Sequence, residues 1–88
     1  MSALSKETIR RDLRQFIIDS FMVGSEDETL DDTDSFLDKG IVDSTGVLEL
    51  TSFIEEKYAI TIADDEMKPD NLDSVDNLVR FVSGKKGL

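Results

Sequence analysis

Asp43-Ser44 is the pair in this sequence whose setting invites chemistry. It follows the apolar pair Ile41-Val42 and opens an amphipathic, acidic helical stretch. The chain has nine serines, and the other eight read as caps, turns or exposed positions. Two readings of Ser44 stand side by side. Either Asp43 or Ser44 simply caps the helix, which Asp and Ser both do well. Alternatively, the hydroxyl is the seat of a covalently attached phosphate, which the amide N–H groups and dipole of a helix start would favour.

Other chemistry is narrower still. With no Cys and no His, disulfides, Cys/His zinc sites and Ser-His or Cys-His nucleophilic pairs cannot be assembled. Carboxylates are abundant, but acid–base work needs a pocket that raises one pKa, and nothing in the pattern points to one. A calcium loop begun at Asp32 has Asp34 third, then Phe36 fifth and Leu37 sixth, where a ligand and a glycine are required. Begun at Asp34, it places Phe36 third. Neither register supplies the ligands, so no metal is expected. The five glycines are scattered and form no phosphate-binding loop.

The 20 acidic and 10 basic residues give a net charge of −10. They are unevenly placed: residues 1–18 carry +2, residues 19–76 carry −15 and residues 77–88 carry +3. Such a chain repels nucleic-acid phosphates and anionic lipid and attracts basic surfaces. The longest apolar runs are three residues, such as Phe16-Ile17-Ile18, far short of a membrane span. No apolar signal core follows the basic N-terminal residues. A soluble, cytoplasmic monomer is expected, and the absence of cysteine fits a reducing compartment. Eighty-eight residues make one small domain, with a core over about residues 4–83. A chain this short favours a binding or carrier role over a self-sufficient enzyme.

The elements that must position Ser44 follow from periodicity. Ser5 caps a first helix over about residues 5–22, with Leu4 and Ile9 as a hydrophobic staple and Gly24 as the stop. Ile9, Leu13, Phe16, Ile17 and Phe21 form its apolar stripe, leaving Arg10, Arg11 and Arg14 for solvent. Residues 24–43 read as a long loop pinned by Leu30, Phe36, Leu37, Ile41 and Val42, with a short helical turn near residues 33–38. A second helix opens at Asp43-Ser44; Val47, Leu50, Ile54 and Tyr58 form its stripe, widened by Leu48 and Phe53. Residues 59–62 read as an extended connection burying Ile60 and Ile62. A short acidic helix at residues 64–67 is ended by Pro69. Asp73 caps a last helix that Gly84 ends, leaving residues 84–88 as a frayed tail. The expected fold is all-α: a small four-helix bundle of three main helices and one short one, with a long ordered loop between the first two.

On these residues the sequence resembles the acyl carrier protein family. The resemblance runs over nearly the whole chain and is strongest in DTDSFLDKGIVDSTGVLELTSFIEEKYAITIADDEM, residues 32–67. That segment holds a loop phenylalanine, a glycine shortly before Asp-Ser, a helix ending Ile-Glu-Glu-Lys-Tyr, and Ile-x-Ile followed by acidic residues. The resemblance implies a non-catalytic carrier whose Ser44 receives 4′-phosphopantetheine from coenzyme A. Cargo would then ride as a thioester on the arm's thiol, in lipid or other biosynthesis. It further implies that Asp43, Glu49, Glu55 and Glu56 are read by basic patches on partner enzymes. Those partners would be the phosphopantetheinyl transferase, an acyl- or aminoacyl-loading ligase and downstream transferases. The competing expectation is an acidic adaptor of the same fold that binds a basic protein without a prosthetic group.

Some residues depart from the fatty-acid carriers. Thr45 stands where they usually have leucine, Gly46 replaces a usual acidic residue, and residues 67–75 form a longer stretch. With Gly-Ile-Val-Asp-Ser, these features look more like D-alanyl and other aminoacyl carriers. Phe53, read as facing the bundle interior, suggests a small interior and hence short or polar cargo.

Overall fold

The computed structural model describes residues 5–22 and 30–88. Four α-helices follow in order: α1 (Lys6–Phe21), α2 (Ser44–Tyr58), the short α3 (Pro69–Leu72) and α4 (Val75–Lys86). A 3₁₀ turn at Asp64–Glu66 precedes α3. The expected all-helical bundle of three main helices and one short one is what forms. Leu4 of the expected staple and the expected stop at Gly24 lie outside the described residues.

Ser5 caps α1, its Oγ accepting from the Thr8 amide at 3.2 Å. Ile9, Leu13 and Ile17, spaced four apart, are fully buried, while Phe16 and Phe21 are half-buried against the core. The opposite face departs from expectation, because Arg10 and Arg14 do not simply point to water. Arg10 Nη1 reaches Asp32 Oδ2 at 2.5 Å and Asp76 Oδ1 at 2.7 Å. Arg14 Nη1 reaches Asp32 Oδ1 at 2.8 Å and the Leu30 carbonyl at 2.7 Å. The hydrogen bond to Asp76, together with Asp32, raises the Arg10 pKa above its ordinary value. Each pair is about one-third exposed, which limits its worth. Together they clasp the loop and α4 to α1.

The loop is fixed from several sides. Leu30, Phe36 and Val42 are buried, whereas Leu37, expected among the pins, is 51% exposed. The turn occupies residues 36–40 instead of 33–38. It closes as a helix would: the Ile41 amide donates to the Phe36 carbonyl at 2.9 Å, and the Gly40 amide donates to Leu37 at 3.2 Å. Gly40 sits between them at φ +67°, in the left-handed region. A Gly40→Ala variant is therefore expected to lose about 1–2 kcal/mol, read as a lower urea midpoint at unchanged slope. The loop also joins the far end of the chain. The Phe36 amide donates to the Asp73 carbonyl at 2.8 Å, and the Asp76 amide donates to Asp32 O at 2.9 Å. The Asp73 carboxylate accepts from Ser35 Oγ and from the Leu37 amide.

Leu50, Ile54 and Tyr58 of α2 are buried. Burial, with the Asp12 carboxylate nearby, pushes the Tyr58 hydroxyl pKa up. Leu48, expected to widen the stripe, is 60% exposed. The helix closes at Ala59, in the left-handed region, and the chain runs on extended to bury Ile62, with Ile60 half-buried.

Pro69 starts a helix and does not end one. The acidic residues 64–66 make the 3₁₀ turn, and Pro69 occupies the first position of α3, where a missing N–H costs nothing. Asp73 does not cap α4; Ser74 does, its Oγ accepting from the Asn77 amide at 3.1 Å. Asp73 is engaged by the loop. Nor does Gly84 end α4, which runs to Lys86 and closes at Gly87 (φ +74°). The Leu88 amide returns to Ser83 O at 2.8 Å, and Lys86 Nζ reaches Tyr58 O at 2.9 Å. The expected frayed tail is thus a bonded helix end. Lys85 Nζ lies 2.7 Å from Glu66 Oε1, and this contact with the Ala63 amide holds the Glu66 carboxyl below its ordinary pKa. No described helix is long and apolar enough to cross a membrane.

Candidate functional site

The start of α2 resolves which residue of the Asp43-Ser44 pair is the cap. Asp43 has extended backbone, and its Oδ1 accepts from the Gly46 amide at 2.7 Å. Its carbonyl accepts from the Val47 amide at 2.9 Å. Ser44 is the first residue inside the helix, so capping does not account for it. Of the first-turn amides without intrahelical partners, that of Gly46 is thereby taken up by the Asp43 side chain, while the Val47 amide makes the first intrahelical bond.

Gly46 has a packing reason. A Cβ there would stand 2.9 Å from Phe21 Cε1 and 3.1 Å from Val42 Cγ1. The missing side chain lets the end of α1 and the end of the loop press against the first turn of α2, which fixes the direction in which the helix leaves the loop.

Beside this turn lies a small apolar cavity of about 80 Å³. Leu37 and Val42 of the loop, Val47 of α2, and Met67 and Leu72 line it. Lys68, Pro69 and Asp73 border the same cavity, whose surface is almost wholly apolar. The longer stretch noticed at residues 67–75 therefore builds one side of the cavity. An attached phosphate with a partly apolar arm fits these surroundings: a helix N-terminus for the charge and an apolar recess one turn along.

The four carboxylates expected to meet partners divide. Glu49 and Glu56 are exposed and border an open groove between α1 and α2. Glu55 is half-buried and its Oε2 accepts from the Ile62 amide at 2.8 Å, so it fastens the extended segment to α2. Asp43 is exposed but committed as the cap. Phe53 does not fill the interior. It stacks on Phe16 with ring centroids 4.0 Å apart, half-buried at the α1–α2 surface. The inference of a small interior from Phe53 therefore falls. Sequence reasoning missed Asp73, which ties the loop beside the site. The available signal was Ser74, an equally good cap immediately after it.

A family model described as "Phosphopantetheine attachment site" matches residues 11–82. The acyl carrier protein of Petrotoga mobilis (strain DSM 10674 / SJ95) is 29% identical over 85 residues, spanning 97% of this chain and 95% of that protein.

Proposed function

This chain belongs to the phosphopantetheine attachment-site family, and from that premise we propose that Ser44 is the residue that bears the 4′-phosphopantetheine arm. The protein is a carrier and not an enzyme; what it contributes is placement and recognition. The observation that carries the proposal is that Asp43, and not Ser44, caps α2. Ser44 follows as the first residue of the helix, at the positive end of its dipole.

When attached, the arm supplies a thiol, absent from the chain itself, on which cargo is held as a thioester. The chain's own residues do the rest. Asp43 sets the helix start and Gly46 its direction. The α2 dipole favours the phosphate's negative charge. Leu37, Val42, Val47 and Met67 offer the apolar recess.

The cargo is a short acyl or an aminoacyl group, in keeping with a specialised carrier. The recess has room for roughly five to eight water-sized groups, at 10–15 Å³ each, which suits a short chain better than a long one. The partners are the transferase that installs the arm, a loading ligase and downstream transferases. Glu49 and Glu56, with Asp43, attract their basic patches in contacts that weaken with salt. A net charge of −10 opposes self-association, and the cysteine-free chain suits the reducing cytoplasm.

Incubation with coenzyme A and a broad-specificity phosphopantetheinyl transferase, followed by digestion and fragment sequencing by mass, tests the assignment. The phosphopantetheinyl group is expected on Ser44. Finding it on Thr45 or Ser52 would overturn it.

A further inference from the structure

The outer face of α4 differs in charge from the rest of the chain. Residues 77–88 hold three cations, Arg80, Lys85 and Lys86, and no acid, against −15 over residues 19–76. Val75, Leu78, Val79, Val82 and Ser83 are buried. The opposite side of the helix carries Asn77, Arg80, Phe81 and Gly84, at the spacing of a single face. With Asp70 and Asn71 of α3 and Glu66 of the 3₁₀ turn, this face walls an open groove of about 490 Å³. The groove shares no residue with the recess lined by Leu37 and Met67.

Gly84 costs the helix stability and returns nothing inside the chain. Glycine is less favourable than alanine within a helix, and a Cβ here would meet nothing within 4 Å. Gly46, by contrast, is held to glycine by Phe21 and Val42. What Gly84 leaves is a notch beside Phe81, a half-buried ring with Lys85 Nζ 5.5 Å from its centroid. Leu88, just past the helix, is 49% exposed. Phe81, Gly84 and Leu88 thus give an apolar strip where a second backbone can approach α4 closely. Arg80 flanks the strip on one side and Lys85 on the other. Among the described residues Arg80 makes no ion pair. Its Nη2 donates to Asn77 Oδ1 at 2.9 Å, and the guanidinium has further N–H donors to offer. Of the nearby carboxylates, Glu66 is paired with Lys85 and Asp76 with Arg10.

We propose that the outer face of α4 docks an acidic amphipathic helix of a partner protein, an apolar side chain seated over Gly84 against Phe81 and its Asp or Glu side chains on Arg80 and Lys85. Helix recognition of this kind needs an apolar strip flanked by complementary charge, and α4 offers both. A guanidinium suits a carboxylate in particular, since its fork can hold both oxygens. Asp70, on the α3 wall of the groove, repels a carboxylate and so keeps the docked helix along α4. The net charge of −10 argues against nucleic acid, an anionic membrane surface and a second copy of this chain. A single helix is read more locally, because at physiological salt the field of the acidic residues decays over about 8 Å. This face has the opposite sign to Glu49 and Glu56 on α2, so a partner that reads both is held in one orientation. The docking on α4 does not rest on the carrier reading.

The test uses the unmodified full chain at physiological salt, so failure of docking and failure of arm attachment are read separately. One synthetic Leu/Glu peptide places leucines at i, i+3, i+4 and i+7. A second has the same composition in scrambled order, and a third keeps the pattern with Lys in place of Glu. Binding is followed by fluorescence anisotropy and amide chemical shifts. The patterned Leu/Glu peptide is expected to bind at least about tenfold tighter than the scrambled one, the share of one well-buried leucine. Shifts are expected around Asn77, Arg80, Phe81 and Gly84. Gly84→Ala separates docking from folding. It should raise the urea midpoint, since alanine suits the helix better. It should also weaken the patterned peptide about tenfold, because the methyl group fills the notch. Arg80→Gln, at an exposed position, should weaken the peptide about threefold at unchanged circular dichroism. Equal binding of the scrambled peptide would overturn the proposal, as would shifts centred on Phe16 and Phe53. So would wild-type affinity in Gly84→Ala, a Leu/Lys peptide that moves the same α4 amides as strongly, or dimerisation of the chain through this face.

Discussion

Replacing Phe36 by alanine is expected to cost about 3–5 kcal/mol and to leave the molecule close to unfolded at room temperature. Phe36 is a loop residue, yet it is only 1% exposed, and it is the largest of the fully buried side chains. Its backbone is equally committed, donating to the Asp73 carbonyl and accepting from Ile41. Truncation would open a cavity where the loop, α2 and α3 meet. The walls cannot collapse freely, because the Arg10–Asp32–Arg14 clasp and the Asp73 contacts hold the loop in place. A domain of this size has total stability near the lower end of about 5–15 kcal/mol. Thermal melting should show the loss as a fall in Tm of at least about 12 °C, at 4–8 °C per kcal/mol. A loss below about 1 kcal/mol would mean that the loop does not form part of the core.

The second large effect is on modification and leaves the fold alone. Ser44→Ala is expected to stay folded, with a stability within about 0.5 kcal/mol of the parent. The Asp43 cap remains, and alanine is the best helix former for the position. The same variant is expected to accept no phosphopantetheinyl group at all. Ser74→Ala is the natural contrast, because Ser74 does cap its helix. It should lose about 1 kcal/mol, as cap deletions do, and remain fully modifiable. Urea titration separates the two variants on stability, and intact mass separates them on chemistry.

These two serines also show what is legible in a sequence of this kind. Asp43-Ser44 and Asp73-Ser74 are the same dipeptide before a helix, yet Asp caps the first and Ser the second. Local propensity cannot separate them, since both residues are good caps. What decides is tertiary: the Asp73 carboxylate is taken by Ser35 and Leu37, far away in sequence. The helices themselves, and most buried positions on them, followed from periodicity, because burial of one face is what makes a short helix stable. The partners of Arg10 and Arg14 did not follow, because an exposed arginine and a clasping one have the same spacing. Pro69 was ambiguous for a related reason, since proline both follows and begins helices. Leu48 and Phe53 carried the helical period of core residues. The structure places both at the α1–α2 surface, a distinction that depends on where α1 crosses.

The most direct test of Ser44 as the bearing residue is the intact mass of wild type and Ser44→Ala after identical treatment with coenzyme A and the transferase. Both proteins should first be shown to be folded by circular dichroism. The wild type should gain the mass of one phosphopantetheinyl group and Ser44→Ala should gain nothing. A folded Ser44→Ala that is modified as fully as the wild type, or a wild type that is never modified, would contradict the assignment.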